Sequence, residues 1–222
     1  SVQEFIKKLI SLLKRKGIKG VYRKVLEKLH IVPAQNHFLV DFDFLVDNTK
    51  IPLSQREYEL HKEDEVKILN WVIPEMGKGS GGHLNIFRFV SLLENMGFHS
   101  RIYLFKAPSL HDNESVRDFL KENFPILDER VEAYWDVKYA EFAHATIATS
   151  WETAYFVKNF DNTISKFYFV QDYEPFFFAH GSYYELAKNT YRFGLRGITA
   201  GDWIKDKLIT EFGMKADSFG FS

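Results

Sequence analysis

From residue 66 onward the chain repeats one unit, a short apolar run followed by a helical stretch closed by glycine. That rhythm is the mark of βα units wound around a parallel sheet. Strands are predicted at 66–73, 101–105, 145–149, 167–170, 197–200 and 216–221. Helices are predicted over 84–96, stopped by Gly97, over 114–123, and over 202–212, stopped by Gly213. Right-handed crossovers gather the loops that follow the strands along one edge of the sheet, so ligands are expected there. The fold class is therefore α/β, a Rossmann-like parallel sheet with flanking helices.

A chain of 222 residues, 45% hydrophobic, suffices for one full domain and an extra element. The extra element precedes the βα series. Val2, Phe5, Ile6, Leu9, Leu12 and Leu13, then Val21, Val25 and Leu29, recur at helical spacing and predict a helical pair. Alternation from Phe38 to Val46 predicts a strand. The charged stretch 56–65 reads as a connector or a short solvated helix, which divides the chain into a 1–61 extension and a 62–222 domain. Residues 1–28 hold nine Lys and Arg against two acids, a charge of +7, which leaves −8 on the rest of a chain whose total is −1. Such a balance argues against duplex nucleic acid as a partner and marks residues 1–30 for peripheral contact with an anionic membrane face. With no cysteine and no apolar run of roughly 18 residues, a cytoplasmic protein is expected.

Two loops carry candidate chemistry. The first runs from Pro74 to His83 and contains Gly77, Gly79, Ser80, Gly81 and Gly82. Glycines let a backbone approach a ligand closely, and a following helix N-terminus favours an anion such as a diphosphate. The G-x-G-x-x-G spacing of Gly77, Gly79 and Gly82 does not make an NAD site, because the second strand ends in Leu104-Phe105-Lys106 with no acid until Asp112. No Gly-Lys-Ser/Thr triplet supports a Walker A loop either.

The second loop, Gln171-Asp172-Tyr173-Glu174-Pro175, follows the strand that ends at Val170 and leads into Phe176-Phe177-Phe178. Carboxylates there can accept sugar hydroxyls, and one can serve as a general base, while aromatic rings can stack on an acceptor. Ser150 and Asp202 stand where helix N-caps belong, and Trp151 reads either as core or as a sugar platform. The eight histidines show no pair at metal-ligand spacing. Asp41-Phe42-Asp43 spells D-x-D, yet alternation in a strand accounts for both acids, so no metal site is assigned.

Three blocks together resemble a family. Trp71-Val72-Ile73-Pro74 through Gly79-Ser80-Gly81-Gly82-His83 with Ile86-Phe87-Arg88 is the first. Ala148-Thr149-Ser150-Trp151 with Thr153-Ala154-Tyr155 is the second, and Tyr168 to Pro175 with Tyr191-Arg192-Phe193-Gly194 the third. They are similar to the N-terminal half of bacterial GT-B glycosyltransferases of the WsaF-like rhamnosyltransferase kind, over about residues 66–222.

The resemblance implies the acceptor-side domain of a transferase moving a deoxyhexose, rhamnose from a dTDP-linked donor, onto a lipid-linked acceptor in polysaccharide or S-layer glycan biosynthesis. It implies no cofactor beyond the nucleotide sugar. A C-terminal donor-binding domain is expected outside this chain, which by itself would be inactive. On this reading Asp172 and Glu174 are catalytic, Gly79, Ser80, Gly81, Gly82 and His83 face the donor diphosphate, and Trp151, Gln171, Tyr173 and Phe177 bind the acceptor. A non-catalytic nucleotide- or glycan-binding Rossmann-like module stands as the alternative.

Overall fold

The structure is a computed structural model that describes residues 49–76, 80–107 and 109–220. The predicted helical arm, the strand over 38–46 and the Asp41-Phe42-Asp43 motif lie outside the described residues, as do Gly77 and Gly79.

Seven strands form one all-parallel sheet: β1 (Ile68–Pro74), β2 (His99–Phe105), β3 (Glu132–Tyr134), β4 (Ala143–Ala148), β5 (Thr163–Val170), β6 (Arg196–Ala200) and β7 (Ala216–Phe219). Their spatial order is β3-β2-β1-β4-β5-β6-β7. The chain therefore winds outward from β1 in one direction, returns, and winds outward in the other. The crevice outside the carboxyl ends of β1 and β4, where the order reverses, is where an open α/β sheet takes a ligand.

Helices α1 (Gln55–His61), α2 (Gly81–Asn95), α3 (Asn113–Asn123), α4 (Trp151–Asn159), α5 (Ser182–Asn189) and α6 (Asp202–Phe212) complete the described residues, with short 3-10 turns at Val137–Tyr139, Glu174–Phe177 and Thr190–Arg192. A central strand covered on both faces needs a continuous apolar run, and Ile68 to Ile73 are all buried. Trp71 and Ile73 share one face with Ile102, Leu104 and Phe169, where Phe87 and Val90 of α2 and Val116 and Leu120 of α3 pack on them. Val72, Tyr103 and Tyr168 point to the other face, toward α4 and α6. The stops at Gly97 and Gly213 fall as the sequence predicts, with φ of +93° and +66°, the left-handed region that glycine enters without strain.

Two expectations need correction. The break at residue 62 is not where the sheet domain begins, because one compact unit runs Asn48–Ser222. Helix α1 belongs to it: Ser54 N–H donates to Asn162 Oδ1 (2.8 Å), Asn162 Nδ2 donates to Glu57 Oε2 (2.7 Å), and His61 stacks on Phe142 at 6.0 Å. Buried His144 completes the attachment by accepting from Ile68 N–H (2.9 Å) through Nδ1 and donating to the His61 carbonyl (2.8 Å) through Nε2. The short helix offered for the charged stretch is therefore present over Gln55–His61, but it docks through Glu57 and His61 instead of standing apart as a connector. The N-cap of α6 is Gly201 at φ +86°, and Asp202, one position inside, instead accepts from Lys205 Nζ (2.8 Å).

Candidate functional site

Three successive loops converge at the reversal of the strand order. After β1, Ser80 caps α2, its hydroxyl oxygen accepting from His83 N–H (3.4 Å). The His83 ring turns back to the strand, with Nε2 3.3 Å from the Pro74 carbonyl and Nδ1 2.8 Å from Ser80 Oγ. A carbonyl only accepts, so Nε2 carries the hydrogen and Nδ1 accepts from the Ser80 hydroxyl. Burial pushes the imidazole below its ordinary range, which the bond to Pro74 only partly opposes, and the ring is neutral.

After β4, Thr149 donates through Oγ1 to the Val72 carbonyl (2.9 Å), tying the carboxyl ends of β4 and β1 together. Ser150 then caps α4 as predicted, in a reciprocal capping box with Thr153. After β5, Gln171 Nε2 donates to the Gly82 carbonyl (2.9 Å) while its Oε1 accepts from Asn85 Nδ2 (3.1 Å). One side-chain amide thus fastens the third loop to the first turn of α2.

These contacts enclose a cleft of about 180 Å³. Ser80, Gly82 and His83 line it from the first loop, Thr149 from the second, and Gln171, Asp172, Glu174 and Phe177 from the third. A larger hollow of about 600 Å³ lies under the start of β3, at the opposite edge of the sheet. It gathers residues from α3, the following turn and Ala133 of β3, away from the strand reversal, so the smaller cleft is the candidate site.

The electrostatics centre on Glu174. Its Oε2 faces the backbone N–H of Trp151 at 3.1 Å, the first N–H of α4, and its Oε1 lies 3.3 Å from the Tyr168 hydroxyl. Burial drives its pKa up to about 8, aided by the negative charges of Glu152 and Asp172 and opposed by the Trp151 N–H and the Tyr168 hydroxyl. Burial raises Glu152 as well. Glu174 and Glu152 therefore meet at one helix N-terminus, and Glu174 holds its proton at neutral pH. Asp172, by contrast, is exposed at the lip of the cleft.

Seven of the residues named from the sequence meet at this cleft: Ser80, Gly82, His83, Gln171, Asp172, Glu174 and Phe177. Gly81 is exposed on the first turn of α2, beside the lining. An added Cβ would meet nothing within 4 Å at Gly81 and only Gln171 Nε2, at 3.6 Å, in Gly82. The fold does not itself require glycine at either position.

Trp151 and Tyr173 are corrected as stacking platforms. Trp151 is 3% exposed, its ring edge-on to Tyr155 and Phe178, and Tyr173 is 4% exposed beneath Phe176 and against Tyr191. Trp151 serves the site through its backbone N–H alone. The sequence set Thr149 inside the predicted strand 145–149, whereas β4 ends at Ala148 and leaves Thr149 in the cleft, and it placed Glu152 at the strand edge without giving it a role. No group of three or more metal-ligating side chains occurs among the described residues. No helix among them is long and apolar enough to cross a membrane.

No family model matches the chain. It is 26% identical over 175 residues to the O-antigen biosynthesis protein RfbC of Myxococcus xanthus, an alignment covering 72% of this chain. Among solved structures, a dodecameric FMN-dependent UbiX-like decarboxylase from Escherichia coli O157:H7 matches 68% of this chain and 79% of its own at 9% identity. Its TM-score of 0.26 is too low to carry an argument. The chain spans 13% of the length of the O-antigen biosynthesis protein it resembles.

Proposed function

We propose that this chain is the acceptor-side domain of a GT-B glycosyltransferase of the WsaF-like kind, transferring a deoxyhexose, rhamnose from a dTDP-linked donor, to a lipid-linked bacterial surface glycan. The likeness to an O-antigen biosynthesis protein supports a role in glycan biosynthesis. The observation that carries the reading is the convergence of Asp172, Glu174, Gln171 and the α2 N-terminus on one cleft at the strand reversal.

In this reading the acceptor hydroxyl enters beside Asp172, which takes its proton as the oxygen forms a bond to the anomeric carbon. The bond from that carbon to the diphosphate breaks, and the nucleoside diphosphate leaves with the electron pair. Diphosphate oxygens face the N-terminus of α2 at Ser80, Gly81 and Gly82, where helix N–H groups and the dipole favour negative charge. Glu174, holding its proton, donates a hydrogen bond to a sugar oxygen inside the cleft, and Phe177 lies against the acceptor ring. The remaining donor contacts belong to a partner domain, so the chain by itself is expected to give no product.

The experiment is to replace Asp172 by Asn and Glu174 by Gln in the full-length enzyme and measure acceptor-dependent turnover. Loss of a general base costs about 10²- to 10⁴-fold. Wild-type turnover in both variants would make the two carboxyl groups structural and place the catalytic residues elsewhere, while absence of any transfer by the wild-type enzyme would favour a non-catalytic glycan- or nucleotide-binding module.

A further inference from the structure

Beyond the cleft, the same edge of the sheet presents aromatic rings that the fold does not bury. Phe176 and Phe177 are each 63% exposed and Trp203 is 61% exposed, whereas Trp71 and Trp151 are nearly inaccessible. Phe177 lines the cleft and Phe176 is its chain neighbour, with its ring edge-on to Tyr173 at 4.7 Å. Trp203 stands on the first turn of α6, and Lys207, four residues on, shares its helix face.

The Lys207 ammonium joins the two groups. It lies 4.6 Å from the centre of the Tyr173 ring, 5.7 Å from that of Phe176 and 6.0 Å from that of Trp203. It also pairs with Glu211 at 2.5 Å. Asp202, beside Trp203, accepts from the Ser218 hydroxyl at 2.5 Å. The rings therefore alternate with charged hydrogen-bonding groups along an edge that begins at the cleft.

That alternation selects the occupant. The centre of a protein interface is depleted in charged residues, and here Lys207, paired with Glu211, lies among the rings of Tyr173, Phe176 and Trp203. A sugar presents an apolar C–H face bordered by hydroxyls, which an exposed ring flanked by charged side chains matches on both counts. A 6-deoxyhexose, carrying a methyl group, enlarges the apolar face. We infer that Phe177, Phe176 and Trp203 form a track for successive sugar residues of a glycan chain, so that the acceptor is an oligosaccharide recognised several residues back from its reacting end. The direction of this track rests on the cleft being the acceptor site, while sugar binding by the track does not.

Rhamno-oligosaccharides of one to five residues, titrated into the 222-residue chain and followed by calorimetry and by acrylamide quenching of tryptophan fluorescence, test the inference. Affinity should rise with length, and Trp203 should become protected only by the longer probes. Trp203→Ala and Phe176→Ala should each weaken the longer probes roughly three- to tenfold and leave the single sugar unchanged. Phe177→Ala should weaken every length.

Affinity independent of length, no binding of any probe by the folded chain, or wild-type binding in both Trp203→Ala and Phe176→Ala would overturn the track. Length-dependent binding without transfer by the full-length enzyme would instead retain the track and refute the transferase. Transfer that ignores acceptor length and both substitutions would do the reverse.

Discussion

Replacing Glu174 by Gln should make the protein more stable at alkaline pH while impairing its activity. The carboxyl has a pKa of about 8 in the fold against an ordinary value of 4.5. The folded state therefore holds a proton that the unfolded chain releases, and stability falls as pH rises from about 4.5 to 8, levelling off beyond. Each pKa unit is worth about 1.4 kcal/mol, so the raised value sets an upper bound of roughly 4–5 kcal/mol on the cost at pH 8. Coupling to Glu152 and local relaxation reduce this to on the order of 2–3 kcal/mol. Gln keeps an acceptor for the Trp151 N–H and never ionises, while its amide nitrogen reverses the second bond, donating to the Tyr168 oxygen that donates to Glu174 in the wild type. Thermal and urea unfolding of wild type and Glu174→Gln from pH 5 to 9 should give similar stabilities at pH 5. At pH 8 the variant should melt about 5–10 °C higher. A variant less stable than wild type at pH 8, or a difference between the two that does not change from pH 5 to 8, would show that the carboxyl does not hold its proton in the fold, and the reasoning from burial would fail.

Gly82→Val should fold, since Gly82 is exposed and a Cβ there meets only Gln171 Nε2 in ordinary contact, but should raise the KM for the nucleotide sugar by about tenfold or more in the full-length enzyme; unchanged donor kinetics would return the loop to a purely structural part. Gln171→Ala should cost only about 1 kcal/mol of stability yet lower transfer by at least tenfold, because the amide fixes the β5 loop against α2; equal losses in kcal/mol of stability and of activation energy would mark it as structural. Removing residues 1–30, with their excess of Lys and Arg, should abolish salt-sensitive sedimentation of the full-length enzyme with anionic vesicles, and equal binding by both forms would exclude an anchoring role.

The parallel sheet was legible because burial on both faces forces apolar runs such as 68–73 and glycine stops such as Gly97 and Gly213, and these patterns are local. Strand β3 was missed for the same reason: three residues, Glu132, Ala133 and Tyr134, with only the middle one buried, carry no periodicity. Helix α5 was obscured by the Phe and Tyr residues around it, which follow no single stripe. The strand-edge rule singled out Ser80, Gln171 and Asp172, which all follow strand ends and line one cleft.

What a linear pattern could not supply was the direction of each side chain. Tyr173 and Glu174 are neighbours in a 3-10 approach that turns the Tyr173 ring inward and carries the Glu174 carboxyl to the α4 N-terminus, leaving Asp172 in solvent. From sequence the two acids looked equivalent. In the fold they divide, one half-buried against the α4 N-terminus with its pKa raised to about 8, the other exposed beside the cleft, a difference of environment that suits them to different parts in the proposed proton transfer.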